Sequence, residues 1–316
     1  AETAALASLL KLATPDTPAG FAGLVILNDG FVEMTLSWLC NTAGMPGVHE
    51  RTIMACTDSS CLRRMRSSPL ASRVGGLMSI DLFKRAEHIP GADKQALKEQ
   101  QKGALEYATP TYVLMMVARQ RLLADLVQRG IAYLLFETDA LWAVDAYAWI
   151  DDALASGTVG DYKALPSLQP SEPAFDFIGY VDVQPDKIGG GFFLATSSPR
   201  CKEFFQEWSS SVDADMKRVG LHGAKASQVV SDQVMLQRVF DKHKPEGHVA
   251  YFPPAAFPSG EWYKKHPASE GGFAAAKKAG LVVLQFNWVY GLNTKVERAK
   301  RYQHWFLDGD GKCISM

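Results

Sequence analysis

Short apolar runs alternate with amphipathic segments along most of the chain, and this alternation constrains the fold more than any other feature. A short apolar run bounded by polar residues predicts a buried strand, whereas apolar residues that recur with helical periodicity predict a helix. Strands that alternate with helices form a mostly parallel sheet with helices on both faces. The sequence therefore predicts a Rossmann-like α/β fold with a mostly parallel central sheet flanked by helices.

The predicted strands are 23–28, 51–58, 131–136, 190–196 and 281–286. The predicted helices are 30–44, 93–108, 111–130, a segment after 197–200, and 295–305. Two long polar segments, 151–187 and 253–272, are predicted to be loops of the kind that carry function. No repeat or clear boundary divides the chain, so residues 1–316 are predicted to form a single domain.

The composition excludes several classes of protein. The chain is 47% hydrophobic and 21% charged, which indicates a globular core rather than disorder. A net charge of −1 gives no reason to expect binding to nucleic acid or to an anionic membrane. The basic clusters at 61–66 and 295–301 are interpreted as solvated helix faces. Charges within 111–130, including Arg119 and Asp125, exclude a membrane span in this chain.

The five cysteines have no paired CxxC spacing, which argues against a structural zinc site. Cys56 and Cys61 can form a short disulfide in an oxidising compartment, although their spacing does not decide this. The first residue is Ala and no charged-then-apolar leader precedes it, so we expect a processed or trimmed chain.

Polar residues follow four of the predicted strands, at "ND" (28–29), "TD" (57–58), "ETD" (137–139) and "QFN" (285–287). In open α/β sheets, ligands bind outside the carboxyl ends of the strands. We therefore expect one binding site at this edge of the sheet.

The acids of "ETD" allow two interpretations. Glu137 and Asp139 can share a hard cation such as Mn²⁺ or Mg²⁺ with the oxygens of a diphosphate. Alternatively, Thr138 or Asp139 caps a helix that begins near Ala140. The pattern of this stretch alone favours the cap.

Three further motifs have a structural and a functional interpretation each. The glycines of "IGGGFFLA" (188–195) form a plain turn or let a ligand approach the backbone. In "SDQVM" (231–235), Asp232 and Gln233 begin a helix or contact sugar hydroxyls. In "QFNWVYGLNTK" (285–295), Lys295 is a surface residue or a phosphate partner.

The motifs of other enzyme classes are missing from the sequence. It contains no Gly-x-Ser-x-Gly elbow, no P-loop and no HExxH, and its seven histidines lack metal-ligand spacing. A Rossmann oxidoreductase is disfavoured because no GxGxxG fingerprint is present.

The order of the motifs, taken together, resembles the nucleotide-diphospho-sugar transferase family, specifically glycosyltransferase family 77. The blocks that carry this resemblance follow the family order and span nearly the whole chain: "LNDGFVEMTLSWLCN" (27–41), "LLFETDALWAVD" (134–145), "GGFFLATSSP" (190–199), "SDQ" (231–233), "FPSG" (257–260), "NWVYGLNTK" (287–295) and "HWFLD" (304–308).

The resemblance implies a GT-A fold with one nucleotide-sugar site, and transfer of a sugar with retention of its anomeric configuration. It implies Mn²⁺ or Mg²⁺ held by Asp139, Glu137 and Gln285, and catalytic contacts from Asp232 and Gln233. Trp142 and Asp145 match the residues that follow the acidic motif. The implied nucleotide-sugar contacts are Asn28, Asp29, Glu137, Thr138, Asp139, Gly190, Gly191, Asn287, Trp288, Gly291 and Lys295.

Three positions depart from the family pattern. Glu137 stands where the first Asp usually is, Gly189 where an Asn is frequent, and Gln285 where related transferases often carry a His. These departures motivate a second hypothesis, a catalytically silent relative that binds a nucleotide or a protein partner.

The resemblance also suggests the substrates and the compartment. It implies a UDP-activated galactose or pentose as donor and a hydroxyl of a glycan or glycoprotein as acceptor. Relatives are typically Golgi membrane proteins whose anchor would lie outside this chain, so we expect a Golgi lumenal or secretory location.

Overall fold

The structure is a computed structural model that describes residues 2–16, 20–87, 89, 109–163, 174–182, 187–219, 232–270 and 272–314. The strands, numbered in chain order, are β1 Ala22–Leu27, β2 Thr52–Cys56, β3 Gly76–Ser79, β4 Tyr133–Phe136, β5 Ala140–Trp142, β6 Thr158–Val159, β7 Tyr162–Lys163, β8 Phe177–Val181, β9 Ile188–Ala195, β10 Val249–Tyr251 and β11 Val283–Gln285.

The helices are α1 Glu2–Ala13, α2 Val32–Thr42, α3 Ser59–Ser67, α4 Leu82–Ala86, α5 Pro110–Gln128, α6 Ala146–Ser156, α7 Pro199–Val219, α8 Asp232–His243, α9 Trp262–Lys265, α10 Phe273–Lys278 and α11 Leu292–Arg301. Short 3₁₀ turns lie at Asp29–Phe31, Pro69–Arg73, Lys244–Glu246 and Ala268–Glu270.

Seven strands form the central sheet, in the order β10-β8-β9-β4-β1-β2-β3. The β1–β2, β1–β4, β2–β3 and β8–β10 pairs are parallel, whereas β9 runs antiparallel to both β4 and β8. The prediction of a mostly parallel sheet flanked by helices is therefore confirmed. Because β9 is reversed, its first residues lie at the edge where the parallel strands end.

Each face of the sheet is covered by an apolar layer. On one face, α1, α5, α7 and α8 pack over residues such as Leu24, Tyr133 and Phe193. On the other face, α2 and α6 cover residues such as Val25 and Phe136. Burial on both faces explains why the central strands read as continuous apolar runs.

All five predicted strands are present, with bounds that differ by a few residues. The sequence pattern does not predict β3, β5, β6, β7, β8 or β10. The predicted helix 295–305 is wrong at its end, since α11 stops at Arg301. The predicted helix 93–108 and part of the loop 151–187 lie outside the described residues. In the described part, the loop prediction 151–187 is wrong where the end of α6 and the strands β6, β7 and β8 lie, and the loop prediction 253–272 is wrong at α9.

The stretch after Asp139 corrects two expectations. The capping alternative is wrong because Ala140–Trp142 is a strand, and the next helix begins at Ala146 with Asp145 as its cap. The strand β11 is not part of the central sheet but pairs antiparallel with β5, with Gln285 opposite Ala140. This pairing brings the end of β11 to the acids, since the Phe286 N–H donates to the Asp139 carbonyl at 2.7 Å.

Two disulfides are present, and the fifth cysteine, Cys201, is buried as a free thiol. The Cys40–Cys313 bond joins α2 to the C-terminal segment across a sequence separation of 273. The Cys56–Cys61 bond, the pairing that the spacing left open, links β2 to α3 across a separation of five residues. Within the described residues, none of the helices is long and apolar enough to cross a membrane.

We expect Cys40→Ser/Cys313→Ser to lower the free energy of unfolding by about 3.5 kcal/mol more than Cys56→Ser/Cys61→Ser does. The reason is that a cross-link restricts the unfolded chain more when it closes a longer loop. Urea unfolding of both double variants and the parent, without reductant, measures this difference. Equal losses, or a larger loss for the short loop, would contradict the expectation.

Candidate functional site

The acidic motif forms the turn between β4 and β5, at the edge of the sheet where β1, β2 and β4 end. The Glu137 N–H donates to the Gly191 carbonyl of β9 at 3.1 Å, which fixes the start of the turn. Thr138 is buried and its hydroxyl lies 2.9 Å from that of Thr35 on α2. Thr138 therefore anchors the turn to α2, while the carboxylates on either side of it enter the site.

Asp139 forms a buried ion pair with Lys295. The Lys295 Nζ atom donates to Asp139 Oδ2 at 2.5 Å, and the side chains are only 18% and 3% exposed, respectively. The second oxygen, Oδ1, is buried and has no hydrogen-bond partner among the residues that the structure describes. A buried carboxylate oxygen without a partner is costly in the folded protein unless a ligand satisfies it.

Burial and the surrounding charges shift the pKa values of both members of this pair. Burial raises the pKa of the Asp139 carboxyl, Lys295 opposes this rise, and the Glu137 charge adds to it. Burial lowers the pKa of Lys295, but the Asp139 and Glu137 charges outweigh it, so the pKa is raised. The site therefore holds its positive charge firmly.

Arg119 of α5 connects two of the predicted site acids. Its guanidinium donates to Glu137 Oε1 at 3.1 Å and lies 3.7 Å from Asp232 Oδ2, at the start of α8. It also donates to the Gly190 carbonyl at 3.3 Å. The Arg119 and Asp232 side chains are each 12% exposed, whereas Glu137 is 45% exposed. Arg119 thus binds the Glu137 carboxylate through Oε1, while much of the Glu137 side chain remains exposed to solvent.

Nothing in the sequence pattern predicts Arg119 as a site residue, because it lies in the middle of an apolar helix. Burial lowers its pKa, but the Asp232 and Glu137 charges outweigh this effect and raise it. The one available signal is that a cation on the buried face of a helix requires a charged partner.

The glycines of β9 bring side chains of neighbouring elements close to its backbone. A Cβ atom on Gly189 would lie 1.9 Å from the Tyr180 ring, and one on Gly191 would lie 2.7 Å from Glu137 Oε2. A Cβ on Gly190 would lie 3.8 Å from an Arg119 nitrogen and 3.9 Å from Gln233 Oε1. The segment is a strand rather than a turn. Its glycines allow neighbouring side chains to approach the backbone closely.

Asp182, which follows β8, lies at the centre of a second hydrogen-bond network. Its Oδ2 atom accepts from Gln233 Nε2 at 3.1 Å, and its Oδ1 atom accepts from Asn287 Nδ2 at 2.5 Å. The Tyr180 hydroxyl lies 3.5 Å from Oδ1 and 2.9 Å from Asn287 Nδ2. Burial raises the pKa of Asp182, and hydrogen bonds from Gln233 and Tyr180 limit the rise.

Asn287 and the residues after it form the loop between β11 and α11. The Gly260 N–H donates to Asn287 Oδ1 at 2.5 Å, and a Cβ on Gly260 would lie 2.0 Å from the Asn287 carbonyl oxygen. Trp288 has a left-handed φ of 70°, and the Lys264 ammonium lies 4.2 Å from the centre of its ring. Gly291 is the N-cap residue of α11, and no side chain of the described residues caps the start of this helix.

The predicted residues Asn28 and Asp29 lie beyond β1 and form a separate group. The Asp29 N–H donates to Asp58 Oδ2 at 2.8 Å, and Arg64 of α3 lies 3.2 Å from Asp29 Oδ1. Asp58 also caps α3 through the Cys61 N–H. Within the described ranges, none of these contacts joins the group to Asp139, although both lie where parallel strands of one sheet end.

The suitability of the turn for a divalent cation depends on its oxygen atoms. The buried Asp139 Oδ1 atom and the partly exposed Glu137 carboxylate are hard donors of the type that Mn²⁺ and Mg²⁺ take. The Gln285 side chain is also buried, and its Nε2 atom has no hydrogen-bond partner within the described ranges. In the described part of the chain, no three His, Cys, Asp or Glu side chains form a metal-binding group. The residues fit a cation only if water and ligand oxygens complete its coordination.

The assembled site combines cations, acids and amides at one edge of the sheet. Lys295 and the uncapped start of α11 can bind an anion, because helix N-termini and ammonium groups both favour negative charge. Glu137, Asp182, Asp232 and the amides of Gln233 and Asn287 offer acceptors and donors suited to hydroxyl groups. Such an arrangement fits a ligand that is anionic at one end and polyhydroxylated at the other.

Solved structures that are similar to this chain include three glycosyltransferases. Galactosyltransferase LgtC, in complex with donor and acceptor sugar analogues, is 8% identical, and the alignment covers 92% of this chain and 98% of that chain with a TM-score of 0.45. Mouse xyloside xylosyltransferase 1 is 10% identical, with 84% of this chain and 97% of that chain covered and a TM-score of 0.47. The bifunctional glycosyltransferase WbbM is 12% identical, with 92% of this chain and 51% of that chain covered and a TM-score of 0.49. A search of curated protein sequences gave no match.

The family profile for nucleotide-diphospho-sugar transferases matches residues 82–299, which is more than half of the chain. The match includes the acidic turn, the glycines of β9, Asp232 and Lys295. Together with the observed sheet it confirms the predicted GT-A type of α/β fold. The chain therefore belongs to the nucleotide-diphospho-sugar transferase family, a family of glycosyltransferase enzymes.

Proposed function

We propose that the protein is a metal-dependent, retaining glycosyltransferase. It transfers a sugar, galactose or a pentose, from a UDP-activated donor to a hydroxyl of a glycan or glycoprotein. The observation that carries this proposal is the convergence of Asp139, Lys295, Arg119 and Glu137 at one edge of the sheet, because this set contains both anion-binding and cation-binding groups.

The diphosphate of the donor is proposed to bind at Lys295 and the start of α11. Lys295 is buried beside Asp139 and keeps its charge, so it can bind a phosphate oxygen strongly once it leaves the carboxylate. Negative charge grows on the diphosphate as the bond to the anomeric carbon breaks, and Lys295 stabilises that charge where it develops.

Asp139 and Glu137 are proposed to hold Mn²⁺ or Mg²⁺ when the donor is bound, with Gln285 as a further candidate ligand. The cation would supply Lewis-acid stabilisation of the leaving diphosphate. The partnerless Asp139 Oδ1 atom supports this assignment. The Glu137 side chain is longer than that of the Asp that is usual in the family, and Arg119 holds its carboxylate through a hydrogen bond to Oε1.

The sugar is proposed to lie over Gly190 and Gly191, between Glu137 and Gln233. Positive charge develops on the sugar ring in the transition state of glycosyl transfer. The amide of Gln233 lies close to Gly190, and the carboxylate of Asp232 pairs with Arg119, which also donates to the Gly190 carbonyl. Both groups are proposed to stabilise that charge.

A catalytically silent relative that binds a nucleotide or a protein partner is the second candidate function. It is favoured by the fact that each acid of the turn already has a cation of the chain as partner: Lys295 for Asp139 and Arg119 for Glu137. Calorimetry with UDP sugars, with and without Mn²⁺, separates the two functions. Binding with neither donor hydrolysis nor transfer would favour the silent relative.

We further infer that the chain is a single catalytic domain and that it works in the Golgi lumen or elsewhere in the secretory pathway. The domain inference is supported by one central sheet that takes strands from β1 to β10. The two disulfides support the compartment, since disulfides persist mainly in oxidising environments. Location of a tagged full-length protein by microscopy tests the compartment.

Asp139→Asn is expected to lower transfer by on the order of 10²-fold and to abolish the stimulation by Mn²⁺, because the amide removes the charge that a divalent cation needs. Steady-state assays with UDP-galactose and UDP-xylose, before and after chelation, measure this. Asp125→Asn, at an exposed ion pair with Arg129, is the matched control and is expected to retain activity. A fully active Asp139→Asn enzyme would refute the metal assignment.

Lys295→Met is expected to have opposite effects on the binding of Mn²⁺ and the binding of UDP. Mn²⁺ binding without nucleotide should tighten by about tenfold or more, because the ammonium no longer neutralises Asp139. UDP binding should weaken, because the phosphate partner is lost. Calorimetric titrations with MnCl₂ and with UDP measure both, and Lys300→Met on the same helix is the control. Unchanged Mn²⁺ affinity would show that Lys295 and the cation do not compete for Asp139.

Gly191→Ala is expected to weaken donor binding by about tenfold while the fold remains intact. The new methyl group meets the Glu137 carboxyl group, which must leave Arg119 to avoid it. Gly44→Ala is the control, since its Cβ meets no atom within 4 Å. Equal donor affinity in the two variants, measured by calorimetry, would count against the placement of the sugar over β9.

A further inference from the structure

Among the described residues, Asp182 is the acid of the site whose carboxylate accepts hydrogen bonds from neutral groups only. Glu137 and Asp232 share Arg119, and Asp139 is paired with Lys295. Asp182 instead accepts from the side-chain amides of Gln233 and Asn287 and lies near the Tyr180 hydroxyl. No family motif predicts a role for it.

The chemistry of a carboxylate determines which way each amide points. An ionised Asp only accepts hydrogen bonds, so the NH₂ group of each amide must face it. The Gln233 carbonyl oxygen is thereby turned away from Asp182, and it lies 3.9 Å from the position of a Cβ on Gly190. This is the surface over which the sugar is proposed to bind.

The orientation of Asn287 is fixed from both ends. Its NH₂ group faces Asp182 and the Tyr180 hydroxyl, while its carbonyl oxygen accepts from the Gly260 N–H at 2.5 Å. Gly260 cannot carry a side chain, because a Cβ would overlap the Asn287 carbonyl. Asn287 thus holds Asp182 in place, and Asp182 in turn orients Gln233.

The Tyr180 phenol supports the same arrangement. Burial and the charges of Asp182, Glu137 and Asp139 raise its pKa well above the ordinary value, so it stays protonated and can donate. Its ring reaches this position because residue 189 is a glycine. The departure from Asn at position 189 therefore provides the space that the ring occupies.

We propose that Asp182 is a positioning residue that fixes the amide of Gln233 with its carbonyl oxygen toward the donor sugar. This rests on the proposed glycosyl transfer. In that orientation Gln233 presents a partial negative charge to the ring carbon on which positive charge develops. With the amide reversed, Gln233 would present N–H groups and would oppose that charge.

Asp182→Asn tests the proposal with little change in shape. Asp182 has two acceptor oxygens for two amide donors, whereas Asn has one oxygen and one NH₂ group. One of the two neighbouring amides must then rotate or lose its partner. We expect kcat to fall by on the order of 10²-fold, the effect of misplacing a group at the reacting centre, and the donor KM to change by no more than about threefold.

The experiment is a double-mutant cycle of Asp182→Asn and Gln233→Ala, assayed with UDP-galactose and UDP-xylose in Mn²⁺. If Asp182 acts through Gln233, the double variant is no slower than Gln233→Ala alone. Asp213→Asn, at a partly exposed ion pair with Arg121, is the control and is expected to match the parent. Losses that multiply in the double variant would overturn the proposal.

Asp182→Glu separates chemistry from packing. It keeps both acceptor oxygens but adds a methylene group, so we expect it to retain more turnover than the isosteric Asp182→Asn. The opposite order would also overturn the proposal, because a purely steric role favours the isostere. A parent enzyme that neither binds nor turns over a UDP sugar would refute the proposed function itself, whereas an active parent with multiplicative losses refutes only the role of Asp182.

Discussion

The buried ion pair between Asp139 and Lys295 is the interaction on which the rest of the site depends. It joins the end of β4 to α11, two parts of the chain separated by 156 positions, inside a region that excludes most water. Removing one partner of such a pair leaves an uncompensated buried charge, which is strongly destabilising. The ion pair, the β5–β11 pairing and the hydrogen bonds of Asn287 therefore stabilise one another, and the loop before α11 is held against the acidic turn.

Around this pair the site is divided into two networks with different chemistry. Arg119, Glu137 and Asp232 form a charged network, in which one guanidinium fixes two carboxylates. Asp182, Gln233, Asn287 and Tyr180 form a network in which a single carboxylate orders neutral groups. Both networks reach β9, whose glycines leave room for them. The reversed direction of this strand matters here, because it brings residues 189–191 to the edge where the parallel strands end.

The alternation of strands and helices was sufficient to predict a mostly parallel sheet and a candidate site at the edge where its strands end, because burial on both faces produces apolar runs that are easy to recognise. The acids 137 and 139 were also predictable, since they directly follow such a run. Arg119 and Asp182 were not. Arg119 lies within an apolar helix, and Asp182 in a polar segment where one Asp resembles any other. Their roles arise from tertiary contacts with residues as distant as Asp232 and Asn287, which no local pattern encodes. The three-residue strand β5 was missed for the same reason, because its pairing with β11 overrides local preference.

The bond between Cys40 and Cys313 has a topological consequence. It makes the chain between these residues a covalently closed ring, and that ring contains the site residues from Arg119 to Lys295. A protease that cuts this ring once produces two segments that remain one molecule until the bond is reduced. The acidic turn and α11 would then stay tethered at high local concentration, so a nicked protein can still bring Asp139 and Lys295 together.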